Sequence, residues 1–218
     1  MTFQTMVSLL GQGFLTTLSI FALTLLFSLP LGLLVTFGRR SKFLPLQAVI
    51  KFYISIMRGT PLMLQLIVVF YGPNMLFGIS VPTSWRFTAA IVAFVINYAA
   101  YFAEIYRGGI ESIPVGQYEA AEVLGYSKSQ TFIKIILPQM VKRVLPSVTN
   151  EVITLVKDTS LVYVIGVVDM FNRAKMIANS PDTPGFVTLF VAGIFYYVFN
   201  FVVAWVMERI EKRLNYYQ

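Results

Sequence analysis

The chain has 218 residues, of which 57% are hydrophobic and only 12% are charged, about half the charged share of soluble domains. A core of this length cannot bury so much apolar surface, so the composition predicts a protein embedded in a lipid bilayer. The chain has no histidine and no cysteine. This excludes Ser-His and Cys-His catalysis, disulfides and thiolate metal sites, and we expect neither a metal nor a cofactor bound by this chain.

Five apolar stretches predict transmembrane helices, since each is long enough to cross about 30 Å of hydrocarbon. We place them at about residues 14–37, 52–71, 87–106, 146–168 and 186–207, in one all-α membrane domain over residues 1–218. The residues before the first stretch fit equally a short helix on the membrane surface and a frayed terminus. Pro61 is expected to kink the second stretch, and we assign Arg58 beside it a structural or gating role.

The distribution of lysine and arginine predicts the orientation in the membrane. Twelve of them lie in the loop after the first stretch, in the middle segment and in the C-terminal tail, against three on the opposite side. Because basic loops stay in the cytoplasm, we expect the N-terminus outside and the C-terminus in the cytoplasm. The positive charge therefore indicates topology, and no nucleic-acid partner is expected.

The middle segment, about residues 112–138, is too long to be a simple connection, which indicates a functional or a disordered segment. Pro114 and Gly125 bracket a predicted short helix over residues 115–124. A second helical stretch over residues 129–136 is expected to stop at Leu137-Pro138. Small side chains at Ala120 and Ala121 permit the close approach of another protein surface.

Three motifs carry a resemblance to a known family. Glu119-Ala120-Ala121, Gly125, Ile135 and Leu137-Pro138 match the EAA loop of ABC-importer permeases at every fixed position. Arg58 to Gln65 reads RGTPLMLQ and resembles the RGTPLLVQL segment of polar amino-acid permeases. Ala103 to Ile110 reads AEIYRGGI and resembles the AEIxRGGI segment of the same subfamily.

This resemblance implies the type I ABC importer permease fold with a cytoplasmic coupling helix, in a bacterial inner membrane. It implies contact of Glu119, Ala120, Ala121 and Gly125 with two copies of an ATPase subunit, which carry ATP and Mg. Further implied partners are a second permease chain, identical or paralogous, an extracytoplasmic substrate-binding protein and a polar L-amino acid. The chain itself has no Gly-x-x-x-x-Gly-Lys-Ser/Thr motif, so the ATPase must be a separate polypeptide.

Ionisable and polar residues inside the predicted spans indicate a cargo site, because such residues are costly in lipid. Helical spacing places three of them on one face of the third span and three on one face of the fourth. We expect the acids to receive an ammonium or a cationic side chain, and Lys157 and Ser160 to receive a carboxylate. The alternative is that Lys157 pairs with an acid and holds the bundle together. The predicted substrate residues are Asn97, Tyr101, Glu104, Glu151, Thr154, Lys157, Asp158 and Ser160.

Three acids against one lysine favour a zwitterionic or cationic amino acid. The alternative function is a secondary amino-acid carrier driven by an ion gradient, with the same acids as coupling groups. Such a carrier predicts inverted repeats, and the sequence contains no recognisable one. On the outer side, the segment from Asp169 to Gly185 has charged residues suited to docking of a binding protein, with Asp169 and Asp182 among them.

Overall fold

The computed structural model describes residues 2–181 and 185–214, and the regular structure in these two ranges is helical throughout. A π-helix covers Phe132–Ile136 and a 3-10 helix covers Thr159–Ile165. The α-helices are α1 (Phe3–Arg39), α2 (Leu44–Gly59), α3 (Leu62–Phe77), α4 (Trp85–Glu111), α5 (Val115–Val123), α6 (Lys128–Thr131), α7 (Leu137–Asp158), α8 (Met170–Ala178) and α9 (Gly185–Leu214).

Helix α1 is continuous over 37 residues, so neither a separate surface helix nor a frayed start precedes the first span. Thr2 caps the helix, its side chain accepting a hydrogen bond from the Thr5 amide. Buried residues recur every three or four positions from Met6 and Leu10 onward, which keeps the first turns packed on the bundle. At about 1.5 Å per residue the helix is about 55 Å long, well beyond the hydrocarbon thickness.

The predicted second span, 52–71, is not one kinked helix. Helices α2 and α3 meet at 111°, with the break at Thr60 and Pro61. Proline has no amide hydrogen and forces the residue before it out of the helical region, and Thr60 is accordingly extended, with φ −124° and ψ 147°. Each half has 16 residues, about 24 Å, and falls short of crossing the membrane alone.

The predicted fourth span, 146–168, is wrong as a single helix. Helix α7 ends at Asp158, the 3-10 helix follows, and Gly166 closes it with φ +76°. Among the described residues, α1, α4 and α9 are long and apolar enough to cross a membrane, and the bent pair α2–α3 makes a fourth crossing if counted as one.

Helix α4 is the centre of the bundle and packs against α1, α2, α3 and α7. Small residues allow the close approach: an added Cβ at Gly32 of α1 would lie 2.8 Å from the Cβ of Phe102. At the far end of α4, an added Cβ at Gly109 would lie 2.1 Å from a Val144 methyl of α7. Substituting either glycine would therefore force helices of the core apart.

Helices α1 and α9 run in the same direction. The rings of Phe14 and Phe21 both lie 5.2 Å from the ring of Phe199, and Thr188 contacts Met6 near the two helix starts. Helix α8 packs at this same end of the bundle, because the start of α8 touches Gly13. The ends of α1 and α4 lie at the opposite end, together with α5.

The predicted short helix of the middle segment is present as α5. Gly125 follows it with φ +75°, and the Tyr126 amide donates back to the Ala121 carbonyl at 3.0 Å, which closes the helix end. The expected stop at Leu137-Pro138 is wrong. Pro138 instead lies in the first turn of α7, directly after the π-helix. The wider π turn accommodates the proline ring, which would clash with a carbonyl in a regular helix.

Candidate functional site

Asp158 is the last residue of α7 and is held by a tyrosine that sequence reasoning missed. The Tyr98 hydroxyl of α4 donates to Asp158 Oδ2 at 2.8 Å. Tyr98 is only 2% exposed, whereas Asp158 is partly exposed. The pair therefore joins the buried core to an accessible carboxylate. No local pattern pointed to Tyr98, because the contact spans 60 residues of sequence.

Glu151 and Thr154 lie on α7 below Asp158, at the spacing that puts all three on one helix face. Both are partly exposed. Over residues 2–181 and 185–214, no lysine or arginine nitrogen lies within 4.0 Å of a Glu151 or Asp158 oxygen. Two carboxylates thus share one face without an ion-pair partner from the described part of the chain.

Lys157 forms no ion pair with these acids, because its nitrogen lies more than 4.0 Å from their oxygens. With Ser160 and Tyr196 it lines a cavity of about 390 Å³ between the end of α7, α8 and α9. Ser160 donates to the Lys157 carbonyl at 2.7 Å. Neither the predicted pairing of Lys157 with Glu104 nor the one with Asp158 is present.

Glu104 is bound by arginines instead. Arg107 donates to it from Nη2 at 2.7 Å, and Arg39 and Arg58 nitrogens each lie 3.9 Å from its carboxylate. Arg107 also bonds Glu111 at 2.6 Å. The cluster joins the end of α1, the end of α2 and the last turns of α4. The i, i+3 spacing of Glu104 and Arg107 was a sequence signal for this pair.

Arg58 continues this polar surface towards Tyr101. Its guanidinium lies 5.5 Å from the centre of the Tyr101 ring, which in turn lies 6.3 Å from the Tyr98 ring. These contacts therefore form a connected row from α7 across α4 to α2. Its members are Asp158, Tyr98, Tyr101, Arg58 and Glu104.

Asn97 stabilises the α2–α3 break. It is 4% exposed and donates to the Met57 carbonyl at 3.1 Å and to Gln65 Oε1 at 2.9 Å. Gln65 in turn donates to the Met57 carbonyl, which has no helical donor because Pro61 lacks an amide hydrogen, and to the Thr60 carbonyl. The amide of Asn97 is thus occupied by backbone and side-chain partners within the fold.

The middle segment presents a small exposed surface. Glu119 and Ala120 of α5 are exposed, whereas Ala121 is 1% exposed and packs inward. Val123 and Leu124, which sequence reasoning did not select, are 87% and 72% exposed. Exposed apolar side chains next to Gly125 make this end of α5 a surface suited to another protein.

Asp169, which was among the residues expected to suit docking of a binding protein, is not available for docking. It is fully buried, caps α8 by accepting from the Asn172 and Phe171 amides, and accepts from the Tyr196 hydroxyl at 3.3 Å. Burial raises the pKa of its carboxyl to about 6, against the hydrogen bonds that lower it. Asp182 lies outside the described residues.

Comparison with known proteins gives consistent matches over almost the whole chain. The family described as "Binding-protein-dependent transport system inner membrane component" matches residues 28–216. The arginine transport system permease protein ArtQ of Bacillus subtilis (strain 168) is 36% identical over 204 residues, covering 94% of this chain and 91% of that protein. The putative glutamine transport system permease protein GlnP of Rickettsia bellii (strain RML369-C) is 34% identical over 203 residues, covering 93% and 91%.

A solved structure agrees with these sequence matches. The crystal structure of an amino acid ABC transporter with histidines has a TM-score of 0.86 and 32% identity, covering 98% of this chain and 99% of that one. The helical arrangement described above is therefore shared across nearly the full length of both chains.

Proposed function

Because this chain belongs to the family of inner membrane components of binding-protein-dependent transport systems, we propose that it is the permease subunit through which an ATP-driven importer moves a polar, zwitterionic or cationic L-amino acid. The permease role follows from the family and the fold. The cargo class rests on one observation, the two carboxylates Glu151 and Asp158 on one face of α7 without a cationic partner among the described residues.

An unpaired carboxylate at membrane depth is costly, so a cation is its natural complement. The α-ammonium of an amino acid, or a guanidinium or ammonium on its side chain, supplies that cation at the moment of binding. Thr154, between the two acids on α7, and Tyr101, next to Tyr98 on α4, extend the polar surface. Lys157 and Ser160 stay predicted for the cargo carboxylate, and Glu104 and Asn97 are assigned to holding α1, α2 and α4 in place.

The coupling role is proposed for α5. Ala120, Val123 and Leu124 form its exposed small and apolar surface, with Glu119 beside them. This surface fits a cleft of a separate ATPase subunit, present in two copies, which binds ATP and Mg. The helix leads through α6 and the π-helix directly into α7, so a displacement of α5 reaches the acids of the cargo site along one continuous segment.

The membrane arrangement is proposed from the same features. Five crossings result if α2–α3 counts as one and α7 with its 3-10 helix as another. The N-terminus then lies outside, the C-terminus lies in the cytoplasm, and an extracytoplasmic binding protein delivers the cargo to the end where α8 lies. A second permease chain, identical or paralogous, faces the acids and completes the path. The break at Pro61, with Arg58 beside it, is the proposed moving joint.

The cargo site is tested by equilibrium binding of radiolabelled L-arginine, L-glutamine and L-glutamate to the importer purified with its other chains. We expect L-arginine or L-glutamine to bind and L-glutamate to fail. Asp158→Asn and Glu151→Gln should each raise the dissociation constant about 10- to 100-fold, the range for a lost charged hydrogen bond. Glu208→Gln is the matched control, since Glu208 is exposed and pairs with Lys212 near the end of α9. Unchanged binding in both acid variants contradicts the assignment.

A further inference from the structure

Tyr98 is the one side chain from the described residues that donates a hydrogen bond to the Asp158 carboxylate. Its ring is enclosed on several sides: Phe94 stacks parallel to it at 6.3 Å, and Phe102 lies at 6.1 Å. A tyrosine has two side-chain torsions that place the ring, and this packing fixes both. The hydroxyl therefore lies at a fixed point beside the end of α7.

The hydrogen bond uses only one of the two carboxylate oxygens. Tyr98 donates to Oδ2, and no described residue donates to Oδ1 of the partly exposed Asp158. We propose that Tyr98 is a positioning residue for cargo recognition: its hydroxyl holds Oδ2 so that Oδ1 faces the cargo cation. This inference rests on the proposed function, because it assigns Tyr98 to the same site.

The geometry explains why such a residue is needed. Asp158 is the last residue of α7, and its carboxylate turns about two side-chain torsions that the helix alone does not fix. A donated hydrogen bond to a carboxylate is short and about twice as strong as a neutral one, and it fixes orientation as well as charge. Without it the carboxylate rotates about its side-chain torsions, and part of the cargo affinity is lost to ordering it.

A merely structural hydroxyl is available for comparison. Tyr53 of α2 donates its hydroxyl to the Ile96 carbonyl of α4. It is also a partly enclosed tyrosine that ties two helices together, but its acceptor is backbone and lies outside the proposed cargo contacts. Tyr53→Phe is thus the matched control for Tyr98→Phe, since each change removes one hydroxyl and leaves the ring in place.

The test is a double-mutant cycle in the assembled importer, read as the dissociation constants of L-arginine and L-glutamine. Tyr98→Phe should raise the dissociation constant of the bound amino acid about tenfold, the lower end for a hydrogen bond to a charged group. Tyr53→Phe should leave it within about twofold. In the Asp158→Asn background, Tyr98→Phe should add no further loss, because Tyr98 acts only through Asp158.

Each outcome separates this inference from the proposed function. If Asp158→Asn weakens binding while Tyr98→Phe does not, Tyr98 is no positioning residue and the cargo site stands. Equal losses in both tyrosine variants, or additive losses in the double variant, also overturn the inference. If the Tyr98→Phe variant alone fails to assemble with the other importer chains, the hydroxyl is needed for folding. That result also overturns the inference. If the Asp158→Asn variant binds the amino acid as tightly as the unsubstituted importer does, the proposed role of Asp158 in the cargo site is wrong.

Discussion

Substituting Gly125 should uncouple the permease from its ATPase without unfolding it. Gly125 ends α5 with φ +75°, and no atom lies within 4 Å of a Cβ added there. The effect of Gly125→Ala is therefore a backbone effect: an L-residue in the left-handed region costs about 1–2 kcal/mol. Since about 1.4 kcal/mol is a factor of ten, the equilibrium constant between the geometry that docks α5 and its alternatives should shift against docking by about 5- to 30-fold.

The assay is cargo uptake into proteoliposomes that contain the assembled importer, with ATP hydrolysis measured in parallel. We expect uptake by Gly125→Ala to fall about tenfold at an unchanged melting temperature of the membrane domain. Gly125→Asn should recover much of it, because asparagine tolerates the left-handed region. Gly116→Ala is the control, since Gly116 also has open space around it but no positive φ. Uptake by Gly125→Ala equal to that of Gly116→Ala would refute the reasoning.

Two further predictions concern stability in detergent, measured by thermal unfolding. Gly109→Ala should destabilise the fold by about 1–3 kcal/mol through overpacking, because its Cβ would lie 2.1 Å from a Val144 methyl. Adding Val144→Ala should recover part of this loss. An unchanged melting temperature for Gly109→Ala would contradict the close packing of α4 on α7. Burial raises the pKa of Asp169 from 3.8 to about 6, so the folded state holds the extra proton and this group's contribution to stability falls as pH rises from 4 through 6. As the pH rises from 4 through 6, the melting temperature of Asp169→Asn should therefore increase relative to that of the unsubstituted protein. A difference that stays constant with pH would show that Asp169 does not titrate in this range.

The helical class and the short helix of the middle segment could be predicted from the sequence, because both follow from local patterns. The long apolar stretches determine α4 and α9, and Pro114 with Gly125 brackets α5. The break at Thr60 and Pro61 was underestimated. A proline alone indicates a kink, whereas at this turn of 111° Gln65 of α3 and Asn97 of α4 also donate to backbone carbonyls beside the break.

The candidate site was predictable only in part, because its contacts join distant segments. The i, i+3 and i+7 spacing placed Glu151, Thr154 and Asp158 on one face of a predicted helix, and the structure has all three on α7. Apart from Arg107, which follows Glu104 at i, i+3, the partners of the acids could not be predicted. Glu104 contacts arginines from two other helices, and Tyr98 lies 60 residues before Asp158. Such contacts depend on how α4 packs against other helices, and the periodicity of the sequence does not predict them.

The measurement that tests the central claim most directly is uptake of radiolabelled L-arginine and L-glutamine into proteoliposomes. The importer, purified with its ATPase and binding protein, is given either Mg-ATP on the ATPase side or an imposed proton or sodium gradient. An ATP-driven permease predicts accumulation that requires ATP hydrolysis and persists when ionophores collapse every ion gradient. Accumulation that follows a gradient without ATP would contradict the account, and Glu151 and Asp158 would then be coupling groups of a secondary carrier.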